Sequence, residues 1–499
     1  MSGVERECKL GASADYSLPE LAGAVALPVQ ELEATYYDTP ELRLARAGAS
    51  LRYRTGEGKS GRWTVKLPEG GGDGPGLVRR EVDVDAPAGA IPEELARLVR
   101  AHARSASLAA VGVLKTRRSR LQVRDPDTGS PLVEVADDEV SVLDGGGQVA
   151  ERFREIEAEL VEGAPVSRLA DVVDKLQAAG AGPADPISKI ARALGPRASA
   201  APDVVVPELG KDASLGEVVG AAIASGLTRL VAHDPGVRLG ADIEDVHQAR
   251  VAARRLRSDL RTFRALVEPE ANTVLRTELQ WLGQELGHVR DADVLLERLR
   301  EQIAALPAAD ARAGAALLHR LEEERKEKRA ELLAALDSDR YLALLDRLVA
   351  AAAGPPVVES ATTTKAREAL PAIVAPAWKH LHRAVSHLGK HPEDEALHEV
   401  RIRAKRARYA AEAASAVVGK PAAKFAKAVA GVQGALGDLQ DAVVAEAWLR
   451  TAAKRGPAAQ AMVAGQLVVV QREAAEAARR AWPSAWADVD AKKLRAWLA

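Results

Sequence analysis

Between residues 4 and 161, charged side chains fall on alternate positions of one short segment after another, and few folds accommodate that. In Val4-Glu5-Arg6-Glu7-Cys8-Lys9-Leu10 a strand places Glu5, Glu7 and Lys9 on one face and Val4, Cys8 and Leu10 on the other. The same two-residue period pairs Arg52 with Arg54, Arg79 with Glu81, Lys115 with Arg117, and Glu134 with Asp138. Lys66 opposes Trp63, Val65 and Leu67, and Glu155, Glu157 and Glu159 oppose Ile156, Ala158 and Leu160. Two carboxylates beside an ammonium suit a hard cation and an anionic ligand held together.

The candidate strands are 4–10, 33–38, 49–55, 62–67, 77–85, 113–123, 131–138 and 152–161, with helical patterns near 17–25, 92–104 and 166–179. Turn chemistry separates them, notably the glycine-rich stretches at 69–75 and 144–147. About eight strands in succession suggest a closed antiparallel barrel. A small barrel ordinarily fills its interior with apolar side chains. Here the apolar faces are expected outward, under helices, and the charged faces inward. Lys9, Arg52, Arg54, Lys66, Arg79, Lys115 and Arg117 would then hold a polyanion, and the acids a divalent metal. Solvated outer charge explains any one strand. It does not explain the excess of cations with acid clusters at both ends of the region.

Residues 198–211, rich in Ala and Pro, read as a linker, and from about 212 to 499 the pattern is helical. Gly354-Pro355-Pro356 through Thr364 divides that region into repeats of about 212–353 and 365–499. His247-x-x-Arg250-x-x-x-Arg254-Arg255-x-Arg257 recurs as His398-x-x-Arg401-x-x-x-Lys405-Arg406-x-Arg408, offset by 151 at every position. Leu286-Gly287-x-x-x-Asp291 recurs as Leu436-Gly437-x-x-x-Asp441 at an offset of 150. At roughly 100° per residue, His247, Arg250, Arg254 and Arg257 form one stripe on a helix, as do His398, Arg401, Lys405 and Arg408. Such a stripe repels itself unless it meets an anion. Two stripes related by a pseudo-twofold would line one basic groove. A metal site from His380, His382, His387, His391 and His398 matches no ligand spacing.

These motifs resemble a known pairing. Glu5-x-Glu7-x-Lys9 resembles the ExExK signature of the CYTH family, the triphosphate tunnel metalloenzymes. Tyr37-Asp38-Thr39, Leu51-Arg52-Tyr53-Arg54, Val65-Lys66-Leu67-Pro68, Arg79-x-Glu81, Lys115-x-Arg117, Glu134 to Asp138 and Glu155-x-Glu157-x-Glu159 extend the likeness across residues 1–197. Ser188-Lys189-Ile190-Ala191-Arg192 is similar to the family's short helical segment at one tunnel end. The two His/Arg stripes resemble a CHAD domain over 212–499, and the pairing resembles bacterial inorganic triphosphatases. The resemblance implies an α+β chain: a closed eight-stranded antiparallel tunnel barrel, then an all-α domain with a two-fold internal repeat.

It further implies Mg²⁺ or Mn²⁺ on Glu5, Glu7, Glu155, Glu157 and Glu159, with Asp138 completing the shell. Lys9, Arg52, Arg54, Lys66, Arg117 and Lys189 would grip a triphosphate, and the strand pattern adds Arg79 and Lys115. Glu5, Glu7, Lys9, Glu155 and Glu157 form the expected catalytic set. Asp137-Asp138-Glu139 and Arg79-Arg80 each leave a one-residue ambiguity; parity with Glu134 and Glu81 favours Asp138 and Arg79. The helical domain is expected to bind long-chain inorganic polyphosphate through His247, Arg250, Arg254, Arg255, Arg257, His398, Arg401, Lys405, Arg406 and Arg408.

The expected activity is metal-dependent hydrolysis of inorganic triphosphate, since phosphoryl transfer needs charge neutralisation and alignment more than a covalent nucleophile. Cyclisation of ATP, hydrolysis of thiamine triphosphate, and polyphosphate binding without catalysis are the alternatives. No Walker loop occurs. Residues 1–200 carry 26 Lys+Arg against 31 Asp+Glu, and 201–499 carry 43 against 40. Neither half is basic enough for a general nucleic-acid binder. The single cysteine excludes an internal disulfide, no signal peptide is read, and no apolar run reaches the roughly 18 residues that span a bilayer. The expected compartment is the cytoplasm, and polyphosphate granules within it.

Overall fold

The computed structural model describes residues 2–58, 60–69 and 76–498. Most of the expected turn at 69–75 therefore lies outside the described residues. Two compact units are present, Met1–Asp203 and Val204–Ala499.

The first unit is a closed antiparallel barrel of β1 (Ser2–Ala12), β2 (Ala24–Asp38), β3 (Ser50–Thr55), β4 (Arg62–Pro68), β5 (Leu77–Val84), β6 (Ala109–Arg124), β7 (Pro131–Leu143) and β8 (Val149–Leu160). Their order around the ring is β1-β5-β4-β3-β2-β6-β7-β8. Closure leaves no sheet edge unpaired. Gly76 makes one junction possible. At φ +98° it lies against the Glu7 carbonyl, and a Cβ there would stand 2.7 Å from that oxygen.

The barrel is inside out relative to an ordinary one. Its apolar residues face outward over β7, β8 and β1: Cys8, Leu10, Val133, Val135, Ile156 and Ala158 pack under α1 (Val166–Ala178) through Leu169, Val172, Val173 and Leu176. Burying such side chains contributes about 1.5–3 kcal/mol each. Residues 17–22 form no helix; Pro19 and Gly23 break the pattern there, and the chain enters β2 at Ala24. Residues 182–185 run beside β1, with Gly182 N–H donating to the Gly11 carbonyl and Asp185 N–H to that of Lys9. They deliver α2 (Lys189–Leu194), whose first turn is capped by the Ser188 hydroxyl accepting from Ala191 N–H. Residues 198–203, read as linker, belong to this unit. Ala198 is buried, and Asp203 is held by Arg43, Arg46 and Arg104.

The second unit is helical: α3 (Leu215–Leu239), α4 (Ile243–Thr262), α5 (Pro269–Ala304), α6 (Ala308–Asp337), α7 (Asp339–Ala353), α8 (Ala366–Ser386), α9 (Asp394–Val418), α10 (Lys420–Arg455) and α11 (Ala458–Val489). Helices starting at 215, 243, 269 and 308 recur at 366, 394, 420 and 458, so the sequence repeat is a repeat of elements. Successive helices pack together within each set, and the sets meet where α4 packs on α9 and α6 on α11. A core shared by α5, α6, α10 and α11, including Leu299, Leu317, Leu449 and Leu467, joins them.

The expectation that no segment could span a bilayer meets one exception. α3 has the required length and a mean hydropathy of 1.4 over 18 residues, of which 61% is buried within the protein. Its last turns carry a buried Asp234–Arg238 ion pair at 2.7 Å. Tyr341 donates to Asp234 at 2.9 Å.

Candidate functional site

A polar cavity of about 180 Å³ runs into the barrel. β1, β3, β4 and β5 contribute the residues expected of them, and β8 contributes Glu157 and Glu159 but not Glu155. β1 supplies Glu5, Glu7 and Lys9, β3 Arg52 and Arg54, β4 Lys66, β5 Arg79 and Glu81, and β8 Glu157 and Glu159, with Lys189 from α2.

β6 corrects the reading. Lys115 and Arg117 point outward, about half exposed, and lie beside Glu33, Glu31 and Glu139 at 3.4–3.7 Å. They cannot grip a ligand in the cavity. Arg118 and Arg120 line it instead. The signal was present: Leu121 and Val123 share the parity of Lys115 and Arg117, and both pack outward in the core under α1. The outer face of this long strand is apolar at Leu121 and Val123, under α1, and charged at Lys115 and Arg117, beyond that cover, so those charges face solvent. On β7, Glu134 lines the cavity while Asp138 is fully buried behind it.

Without a ligand the cations are met by carboxylates. Lys189 stands 2.7 Å from Glu155 and Glu157 and 2.9 Å from Asp138. Burial opposes its charge, but these three carboxylates outweigh burial and hold the ammonium above its usual range. Arg118 donates to both oxygens of Asp138 and to Glu157. Asp138, fully enclosed, is thereby an ion-pair partner of Lys189 and Arg118 rather than an open ligand position; Glu155, equally enclosed, has Lys189 at 2.7 Å but no hydrogen-bond partner on either oxygen. Lys9 stands 2.7 Å from Glu157, and Lys66 2.6 Å from Glu5 and 2.8 Å from Glu81.

Two defects remain in this lattice of charge. The buried Nε atoms of Arg52, Arg54 and Arg120 have no hydrogen-bond partner, and neither does Oε1 of Glu7, whose nearest cations stand at 3.6 Å. Donors without acceptors and acceptors without donors in one cavity are costly unless a ligand supplies both. Carboxylates also crowd each other. Burial pushes Glu5 up to about 8, aided by Glu81 and Glu159 and opposed by Lys66. Burial pushes Glu159 up to about 7, against Lys66 and with Glu7, Glu157 and Glu81. Among the described residues, no three acidic, His or Cys side chains converge as a preformed metal cage. The oxygen-only donors Glu5, Glu7 and Glu159 nevertheless fit a hard divalent cation, because their mutual repulsion is what such an ion relieves.

The Tyr37-Asp38-Thr39 motif is structural. Asp38 accepts from the N–H groups of Thr39, Leu44 and Ala45, and Tyr37 and Tyr53 pack on Trp63 outside the ring.

In the helical unit the two stripes converge where α4 meets α9. Burial lowers the Lys405 ammonium to about 7, helped by Arg401, Arg254 and Arg250. Burial likewise lowers Arg401, with Arg254 and Arg250 adding and Asp441 opposing. Arg250 donates to Asp291 at 2.8 Å and lies over Gly287, while Arg401 lies over Gly437. The guanidinium atoms stand 3.6–3.8 Å from where a Cβ would be, so the Leu-Gly repeat gives each arginine a smooth bed. Arg254 sits over the Tyr409 ring at 5.6 Å, and the buried Nε of Arg254 and of Arg401 lacks a partner. His398 pairs with Gln440 at 2.6 Å; His247 faces Arg290, and burial together with that arginine lowers its pKa. Arg255 and Arg408 turn to Glu412, at 3.2 and 2.7 Å.

Comparison with known proteins agrees with this architecture. The CYTH domain matches residues 4–193 and the CHAD domain residues 221–450. An uncharacterised protein of Mycobacterium tuberculosis, found in the CDC 1551 / Oshkosh and ATCC 25618 / H37Rv strains, is 32% identical over 441 residues, covering 84% of this chain and 81% of its own. Among solved structures, PptA from Streptomyces chartreusis is 27% identical with a TM-score of 0.48, over 55% of this chain and all of its own. The CHAD domain from the plant Ricinus communis is 30% identical with a TM-score of 0.43, over 59% of this chain and 95% of its own.

Proposed function

The chain belongs to the family that joins a CYTH domain to a CHAD domain, and from that premise we propose that its barrel hydrolyses inorganic triphosphate and its helical unit binds long-chain polyphosphate. One observation carries the first half: unpartnered, buried guanidinium nitrogens on Arg52, Arg54 and Arg120 share a cavity with an unpartnered oxygen of Glu7 and the crowded acids Glu5 and Glu159. A triphosphate with a divalent cation satisfies both sets at once.

Arg52, Arg54, Lys66, Arg118 and Arg120 hold the phosphate oxygens and fix the chain in line. Lys9, Arg79 and Lys189 complete the positive field, and Lys189 releases part of its hold on Glu157 as phosphate enters. Glu5, Glu7 and Glu159 would hold Mg²⁺ or Mn²⁺, which supplies charge neutralisation and acidifies bound water. With no second nucleophile needed, water attacks the terminal phosphorus and the remaining pyrophosphate departs. Glu5 would be kept ionised by a cation held there, against the burial that pushes it up to about 8, and the proton of the attacking water leaves with the phosphate product.

For the helical unit, Arg250, Arg254, Arg401 and Lys405, with His247 and His398 at the ends of the stripes, present one basic surface whose self-repulsion a polyphosphate would relieve. The proposed setting is the cytoplasm, at polyphosphate granules.

The test is phosphate release from triphosphate with Mg²⁺ or Mn²⁺ against chelator, beside ATP and thiamine triphosphate. Glu7→Gln should abolish release with the fold intact by circular dichroism. Full turnover by a folded Glu7→Gln protein overturns the assignment. Cyclic AMP as the main product from ATP would make it a cyclase.

A further inference from the structure

The two repeats of the helical unit are not equivalent at one end of α4 and α9. Position 261 on α4 corresponds to 412 on α9, at the offset of 151 that relates the stripes; the first is Arg and the second Glu. Glu412 accepts from Arg408 one turn earlier on its own helix and stands 3.2 Å from Arg255 across the helix pair. By the pseudo-twofold, the partners at the other end are Arg257 and Arg406, and the position that answers to Glu412 is Arg261, whose pKa burial and both of these arginines lower. On α5, Arg276 joins them; its counterpart on α10 at the offset of 150 is Ala426.

We propose that Arg257, Arg261, Arg276 and Arg406 form an anion site for a compact, multiply charged phosphate group, either free pyrophosphate or the end of a phosphate chain.

The four side chains come from three helices. None has a carboxylate within 4 Å among the described residues, although the molecule is nearly neutral overall. Arg257 spends one nitrogen on the neutral Gln280 at 2.7 Å. The Nε of Arg276 is buried with no hydrogen-bond partner. Burial lowers the pKa of Arg257 and of Arg261, and every further contribution comes from another arginine of the set. Guanidinium groups gathered this way repel one another, and a phosphate group accepts from their planar forks in pairs. The mirror position shows how the fold neutralises the same geometry when no ligand is meant to sit there: it places Glu412 between Arg255 and Arg408. Where the end of a chain is the ligand, the proposal rests on the groove reading; for free pyrophosphate it stands alone.

The test uses the full chain and pyrophosphate itself, titrated by calorimetry at low salt. Arg261→Glu and Arg276→Ala each install what the other repeat already carries, so each is compatible with the helix that holds it. Either change should remove one pyrophosphate equivalent per chain, or raise its Kd at least tenfold, the barrel being the same in every arm. Arg250→Ala with Arg401→Ala should leave that equivalent in place. Unchanged stoichiometry and affinity in both Arg261→Glu and Arg276→Ala, each with an unaltered melting curve, overturns the site. So does loss of the equivalent with the groove arginines instead. If the groove variant leaves long polyphosphate binding untouched while Arg261→Glu loses pyrophosphate, the groove reading falls and the four-arginine site stands. Polyphosphate of defined length with blocked ends separates the two sources: it should lose the contribution of Arg261 if chain ends are what bind.

Discussion

Arg54 holds Glu57 at 2.5 Å through one nitrogen and leaves its buried Nε bare. Deleting a preorganised donor of this kind costs about 10²–10³ in rate. Arg54→Ala should therefore lower kcat for triphosphate by roughly that factor, whereas Lys115→Ala with Arg117→Ala, on the outer face, should stay within about twofold in steady-state phosphate release. In the groove, Lys405 gives a pH signature. Its free pKa of about 7 lies below the usual lysine value, so at pH 8 it is mostly neutral, and a polyanion restores its charge. Polyphosphate binding at pH 8 should take up close to one proton and at pH 6 almost none, read from calorimetry in buffers of different ionisation heat. Lys405→Arg should bind with no such uptake. Asp259 provides a stability test. Burial pushes it to about 8, with Glu412 adding and Arg255 opposing. A raised carboxylate is protonated in the folded chain and ionised in the unfolded one between about pH 4 and 8, so its contribution falls as pH rises through that window. Asp259→Asn should raise Tm at pH 8 and leave it unchanged at pH 4.

Among the elements, β1, β3, β4, β5 and β8 were legible because the apolar residues of each fall on one face, broken only by single arginines such as Arg6 and Arg80, and that face fixes which way the other charges point. β6 misled because its outer face is interrupted: Lys115 and Arg117 stand between Val113 and the apolar pair Leu121 and Val123, and only that pair packs under α1. Parity taken from the apolar end identifies Arg118 and Arg120. Asp138 and Glu155 were recognised as inward, but their engagement by Lys189 was not foreseeable, because α2 arrives by a loop whose path depends on pairing with β1. On the helices, the strict offset made the stripes visible. The contrast of Arg261 with Glu412 could have been read from the same offset, since it falls one turn beyond the end of the motif.

At the scale of the molecule, each chemistry is assembled from its own stretch of chain. The barrel's cavity draws on residues between Glu5 and Lys189, and the groove on residues between His247 and Asp441. Arg250→Ala with Arg401→Ala should therefore weaken long polyphosphate binding, reduce its salt dependence, and leave triphosphate turnover within about twofold. Glu7→Gln should do the converse, both measured on the same preparations. Lys9 and Lys189 lie at opposite ends of the barrel's sequence yet meet the same oxygen of Glu157, each at 2.7 Å. During translation, a ribosome that has not yet released residue 189 holds a ring in which Glu155 lacks Lys189 and Asp138 has Arg118 alone. A ring closed before α2 docks carries buried charge without its near partner, so the cavity's ion-pair set is complete only when this late element is in place.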